Sequence, residues 1–120
     1  MMNIENQQPA LLLVMIEIDP DQEADFNRWY EEEHIPQRKN CPGFINIRRF
    51  TMVDGNGPKY LALYDLESIE ALKTESYLAI KPKTAWSKKI DEHILKLIRN
   101  VYVETPSILP IKLNTQNTKP

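Results

Sequence analysis

A carboxylate and an imidazole stand side by side at Glu33 and His34, one turn after an aromatic pair, Trp29 and Tyr30, and just before Pro36. On a helical wheel Phe26, Trp29, Tyr30 and Glu33 fall on one face by the i, i+3, i+4, i+7 rule. Glu33 then sits within an apolar stripe and His34 at its edge. A carboxylate in that place must be paired, protonated or turned toward a cavity, because an unpaired buried charge is too costly. The chemistry such a pair offers is proton transfer, with His34 as general acid or base and Glu33 orienting it or sharing the proton. A helix C-terminus and the run Glu31, Glu32, Glu33 predict a raised His34 pKa. The competing role for Glu33 is an ion pair with an arginine, and that for His34 is a bond to the turn before Pro36.

The elements that must position these residues follow from pattern and punctuation. Residues 10–18 (ALLLVMIEI) read as a strand that is apolar on both faces. Asp19 and Pro20 open a helix that is expected to stop at Pro36, whose ring would clash with the carbonyl of Glu32. A turn at Cys41-Pro42-Gly43 leads to a strand over 44–53, and Asp54-Gly55-Asn56-Gly57 signals a hairpin into a strand over 58–66. Ser68 and Thr84 are candidate caps for two short helical pieces, the second carrying Trp86, Ile90 and His93. The last strand spans 97–104.

This order, β-α-β-β-α-β, defines an α+β, ferredoxin-like fold with a four-stranded antiparallel sheet and helices on one face. Helices cover one side only, so the second apolar face calls for another copy, sheet against sheet, as a homodimer forming an α+β barrel. The expected divisions are a flexible start over 1–9, the domain over 10–105, and an arm and tail over 106–120.

Among side chains that could bind a ligand, Arg48 and Arg49 point to opposite faces of their strand, so one of them must enter an interior or the dimer seam. That arginine, or Arg38 beyond the proline, could hold a substrate carboxylate. Tyr60 and Tyr64 share a strand face and could line a pocket with Trp29, Tyr30 and Trp86, although aromatic residues are core by default. His93 reads as a core or interface histidine.

Composition limits the classes. The chain has 120 residues and a net charge of −2, with no concentrated basic stripe, which argues against a nucleic-acid partner. No apolar run is long enough for a bilayer. The single cysteine, Cys41, excludes an intrachain disulfide, and a cytoplasmic location is expected. No phosphate loop, HExxH or zinc-spaced cluster is present, so no metal is expected.

The segments WYEEEHIPQR, CPGF, INIRRF and PKYLALYDLES together resemble the dimeric α+β barrel superfamily, and within it the EthD-like proteins and associated families of unknown function. The resemblance runs from Leu11 to about Tyr102, and its motif matches at Trp29, Tyr30, Glu33, His34, Pro36 and Arg38. It implies a cleft between sheet and helices that takes small, often aromatic, metabolites. Members include cofactor-free monooxygenases, isomerases, cyclases and dehydratases, and haem-dependent dismutases. No haem pattern is recognisable here, so no cofactor is expected. Three functions follow as expectations. The first is a cofactor-independent acid/base enzyme (dehydration, isomerisation or cyclisation) acting on a small aromatic or cyclic metabolite. The second is a cofactor-free monooxygenase, and the third a non-catalytic binding or dimerisation module.

Overall fold

The computed structural model describes residues 7–107; the start of the chain and most of the expected C-terminal arm lie outside the described residues. Four strands form one antiparallel sheet: β1 (Ala10–Ile18), β2 (Phe44–Thr51), β3 (Tyr60–Leu66) and β4 (Ile94–Val103), in the order β2-β3-β1-β4. With the helices on one face, this is the ferredoxin-like α+β arrangement expected. In register, Leu12 of β1 lies opposite Tyr64 of β3 and Val101 of β4. The residues facing the helices are Leu12, Ile16 and Ile18 of β1 and Ala62, Tyr64 and Leu66 of β3, all buried. Phe26 and Ile90 close the core from the helical layer, each fully buried and each contributing about 1.5–3 kcal/mol of transfer free energy.

The strands end where their flanks change character. β2 stops at Thr51 and β3 starts at Tyr60, because glycines at positive φ (Gly55 and Gly57) occupy the connection. β4 begins at Ile94, three residues before the expected start. The amide of Asp19 donates to the carbonyl of His93 at 3.0 Å, which holds the start of β4 against the end of β1. His93 therefore lies in the turn beyond the last helix and not on its apolar face; its Nδ1 is 3.9 Å from Asp19.

The first crossover departs from expectation at Pro36. Helix α1 (Glu23–Trp29) passes into a π turn (Tyr30–His34) and then α2 (Ile35–Arg38), so the helix continues through the proline. The amide of Ile35 donates to the carbonyl of Tyr30, five residues back. A proline inside an ordinary α turn would clash with the carbonyl four residues earlier. Widening the preceding turn moves that carbonyl aside and puts Pro36 in the first turn of α2, where its missing amide hydrogen matters least.

The second crossover is built from short pieces: a 3-10 turn (Ile69–Lys73), α3 (Glu75–Leu78) and α4 (Ala85–Asp91). Ser68 accepts from the amide of Glu70, Thr74 from that of Tyr77 and Thr84 from that of Ser87, so each piece has its own cap. The two crossovers meet at Gly43. This residue has φ +87°, its carbonyl accepts from the amide of Glu67, and an added Cβ would lie 2.6 Å from the Cβ of Ala71. Replacing Gly43 with Ala combines left-handed strain with a clash, and should lower the unfolding free energy by about 1–3 kcal/mol. Urea denaturation of the variant beside the parent chain measures this directly.

Candidate functional site

Because the turn at Tyr30–His34 is wide, His34 swings inward from the wheel position that a straight helix would give it. Its ring packs against Trp29 and Tyr30, with centroids 4.7 and 4.5 Å away. Nε2 lies 2.8 Å from the hydroxyl of Tyr64, and that hydroxyl lies 3.1 Å from the hydroxyl of Tyr30. Both hydroxyls can donate or accept, so this chain of hydrogen bonds can run in either direction. Nδ1 of His34 has no hydrogen-bond partner among the described residues, yet no buried side-chain nitrogen or oxygen there lacks one. Nδ1 therefore faces accessible space.

His34 also lines a cavity of about 240 Å³ between the helices and the β1–β4 side of the sheet. Its floor includes Leu12, Val14 and Leu97; Tyr30, His34 and Tyr64 form the wall under the π turn. Arg38 comes from α2, Lys81 and Lys83 from the connection between α3 and α4, and Arg99 from β4.

The electrostatics of His34 run opposite to the expectation. Burial holds its pKa well below the ordinary 6.5, and Arg38, Arg49 and Lys83 push the same way. The three glutamates do not offset this: Glu31 and Glu32 are exposed and turned to Arg49 and Arg28, and the helix does not end at His34. Burial likewise raises the phenols of Tyr64 and Tyr30. All three groups of the chain are therefore neutral at physiological pH.

Glu33 makes neither of the contacts expected of it. Its carboxylate accepts from Trp29 Nε1 at 3.0 Å and from Thr84 Oγ1 at 2.6 Å, with no bond to His34 and no pairing with either arginine of β2. Thr84 also caps α4, so Glu33 ties the first helix to the start of the last one and fixes the indole that packs on His34.

The arginine alternation holds, but neither residue lines the cavity. Arg48 faces the open side of the sheet and pairs with Asp65 at 3.3 Å. Arg49 enters the helical layer, lies 4.4 Å over the ring of Tyr30 and donates to Asn27 Oδ1 at 2.6 Å and Glu31 at 3.3 Å. It braces Tyr30 from behind. Tyr60 belongs to the same brace, bonded to Glu23 and Asn27, and Trp86 donates to Asp25 at 3.1 Å beneath the Arg28 guanidinium. Of the residues nominated by sequence, the cavity thus gathers Trp29, Tyr30, His34, Arg38 and Tyr64. It adds Lys81, Lys83 and Arg99, which sequence reasoning did not single out. Their signal was present in the Lys81-Pro82-Lys83-Thr84 run and in the position of Arg99 two residues from Leu97 on one strand face.

The site is thus a half-buried imidazole between sheet and helices in a ferredoxin-like α+β domain. Residues 10–84 match the family described as domain of unknown function DUF4286, and the chain belongs to that family. No curated protein matches it. Solved structures share the fold at low identity. A dimeric ferredoxin-like protein from an uncultured marine organism is 13% identical, with TM-score 0.64 over 89% of this chain and 96% of its own. An ethyl tert-butyl ether D (EthD) family protein from Bacillus halodurans is 15% identical, with TM-score 0.57 over 81% and 99%. A monooxygenase from the ActVA-Orf6 gene of Streptomyces coelicolor, solved with nanaomycin D, is 14% identical, with TM-score 0.61 over 88% and 95%.

The depressed pKa of His34 has a sign that stability measurements can read. Unfolded, the imidazole takes a proton near pH 6.5; folded, it resists until far lower pH. The unfolded state therefore binds more protons in that interval, and unfolding free energy falls as pH drops below about 6.5, by up to about 1.4 kcal/mol per pH unit. In urea titrations between pH 7.5 and roughly pH 5, His34→Gln should lose this component and flatten the curve.

Proposed function

We propose that the chain is a cofactor-independent enzyme that moves a proton within a small aromatic or cyclic metabolite held in the sheet–helix cavity. The observation that carries this reading is a neutral imidazole whose Nε2 is anchored to Tyr64 while Nδ1 is left accessible. With the proton on Nε2, donated to Tyr64, Nδ1 holds a free lone pair. Tyr64 then donates to Tyr30, and Tyr30, which lines the cavity, can donate to the ligand. Nδ1 takes a proton from a carbon next to a carbonyl, leaving the electron pair as an enolate. The imidazolium then returns that proton, either to another carbon, completing an isomerisation, or to a departing hydroxyl, which leaves as water as the double bond forms. Arg38 and Lys83, which disfavour a cationic His34, favour both the neutral base and the anionic intermediate.

A second reading has its own support. If the proton removed is phenolic, the resulting anion is the electron-rich species that reacts directly with dioxygen, and one protein of similar fold is a monooxygenase. Oxygen consumption by purified protein and substrate separates the two. In either case His34→Gln should lower turnover by at least about 100-fold while the melting temperature changes little, and Tyr64→Phe should give a smaller loss. Steady-state kinetics on both variants tests this; full activity in His34→Gln ends the proposal.

We also propose that the protein works as a twofold dimer. The sheet face away from the helices carries Leu11, Leu13 and Met15 of β1 beside Leu61 and Leu63 of β3, with Phe50 and Tyr102 exposed near its margins. A matching face on a second copy would cover it, and one protein of similar fold is a dimer. Leu13 and Leu63 are register partners at the middle of this face. Sedimentation velocity at micromolar concentration should give a dimer for the parent chain and a monomer for Leu13→Lys.

A further inference from the structure

We propose that the cavity is built for an organic acid: a small planar or cyclic carboxylate whose ring lies on Leu12, Val14 and Leu97 and whose carboxylate meets Arg38, Lys81 and Arg99. This rests on the cavity being the reaction site and adds the charge of the substrate, which the acid/base reading leaves open.

The argument starts from a contrast among the arginines. The chain is acidic as a whole, with a net charge of −2. Arg28, Arg48 and Arg49, outside the cavity, each sit within 4 Å of a carboxylate. Arg38 and Arg99, the two arginines that line it, have no carboxylate partner among the described residues. Arg38 donates to the carbonyl of His34 at 3.0 Å and to Gln37 Oε1 at 3.3 Å, and Arg99 makes one long bond, 3.4 Å, to the hydroxyl of Tyr77. Lys81 has no ion pair among the described residues. Lys83 is satisfied by Asp91, the one acidic side chain in the lining.

Three unneutralised cations, Arg38 half-buried and Lys81 and Arg99 exposed, come from separate elements to one concave surface, and none of them forms an ion pair among the described residues. Their common feature is the space they face. An anion there would be held by charge-assisted bonds in a partly enclosed setting, where such bonds are strongest. The geometry suits a carboxylate better than a phosphate. Guanidinium forks take carboxylate and phosphate alike, but the three glycines, at 43, 55 and 57, are all outside the lining, so no glycine turn supplies the amide cradle that phosphates favour. The volume, about 240 Å³, lies below the roughly 300–1000 Å³ of drug-sized sites, which favours a molecule of one or two rings.

The test uses the full chain and matched probes: benzoate and 2-naphthoate against benzamide and 2-naphthamide, with phenyl phosphate as a second anion. Binding is followed by saturation-transfer NMR and tryptophan fluorescence, since Trp29 lines the cavity. The acids should bind at least about tenfold more tightly than their amides, with the preference falling as salt rises. Lys81→Glu and Arg99→Glu should each erase the preference while amide binding stays the same. Lys81→Glu is the safer variant for folding, because Lys81 has no side-chain partner to lose among the described residues. His34→Gln should keep the acid preference, so a failed catalytic reading would leave this result standing. Equal binding of acid and amide, no binding of either, or tighter binding of phenyl phosphate than of benzoate overturns the carboxylate assignment.

Discussion

Pro36 has no amide hydrogen to give a helix, and its ring cannot sit over the carbonyl of Glu32. The chain answers by widening the turn at Tyr30–His34, and the site depends on that adjustment. The widened turn carries His34 beneath Trp29 and Tyr30 and within 2.8 Å of the Tyr64 hydroxyl, which comes from the middle of the sheet. A π turn costs some helical regularity, and such turns gather at functional sites because they aim a side chain that an α turn would leave elsewhere. Here the side chain aimed is the one imidazole in the cavity lining.

Around that imidazole the structure divides its charged groups into two sets. Arg49, Asn27, Glu31, Glu23 and Tyr60 form a satisfied network on the outer side of Tyr30, bracing the ring without reaching the cavity. Arg38, Lys81, Lys83 and Arg99 line the inner side with a single acid among them. The first set makes the helix rigid against the sheet. Burial keeps His34 neutral, with help from Arg38 and Lys83 of the second set and Arg49 of the first, and the second set leaves the cavity electropositive within a chain that is acidic overall. Glu33 connects the two halves of the helical layer through Thr84, so the cations on the 81–84 connection are held in place by the carboxylate that the sequence offers as a reactant.

The fold was legible because its signals are local or strictly periodic. The apolar run of β1, the glycine-rich hairpin and the caps at Ser68 and Thr84 each state a backbone preference that tertiary packing had no reason to override. Alternation also placed Arg48 and Arg49 on opposite faces and Tyr60 and Tyr64 on the same one. The site was half legible. Its aromatic members and His34 were named, but a wheel of 3.6 residues per turn cannot show a π turn, so it did not show His34 turned to Tyr64 and Glu33 to Trp29 and Thr84. The sign of the His34 shift was lost for the same reason, since helix ends and neighbouring glutamates govern an exposed imidazole and burial governs this one. Lys81, Lys83 and Arg99 lie 47, 49 and 65 residues beyond His34 along the chain. Only the way the second crossover folds back over β4 brings them to His34.

The central claim is that His34 is a neutral imidazole anchored through Nε2 to Tyr64 at the cavity wall. Nitrogen-15 NMR of histidine-labelled protein, followed through a pH titration, reads the charge and the tautomer of that ring at once. The account predicts that one of the two histidines stays neutral well below pH 6.5 and that Tyr64→Phe shifts its Nε2 resonance. A His34 that takes up its proton at or above pH 6.5, with shifts indifferent to Tyr64→Phe, would contradict it.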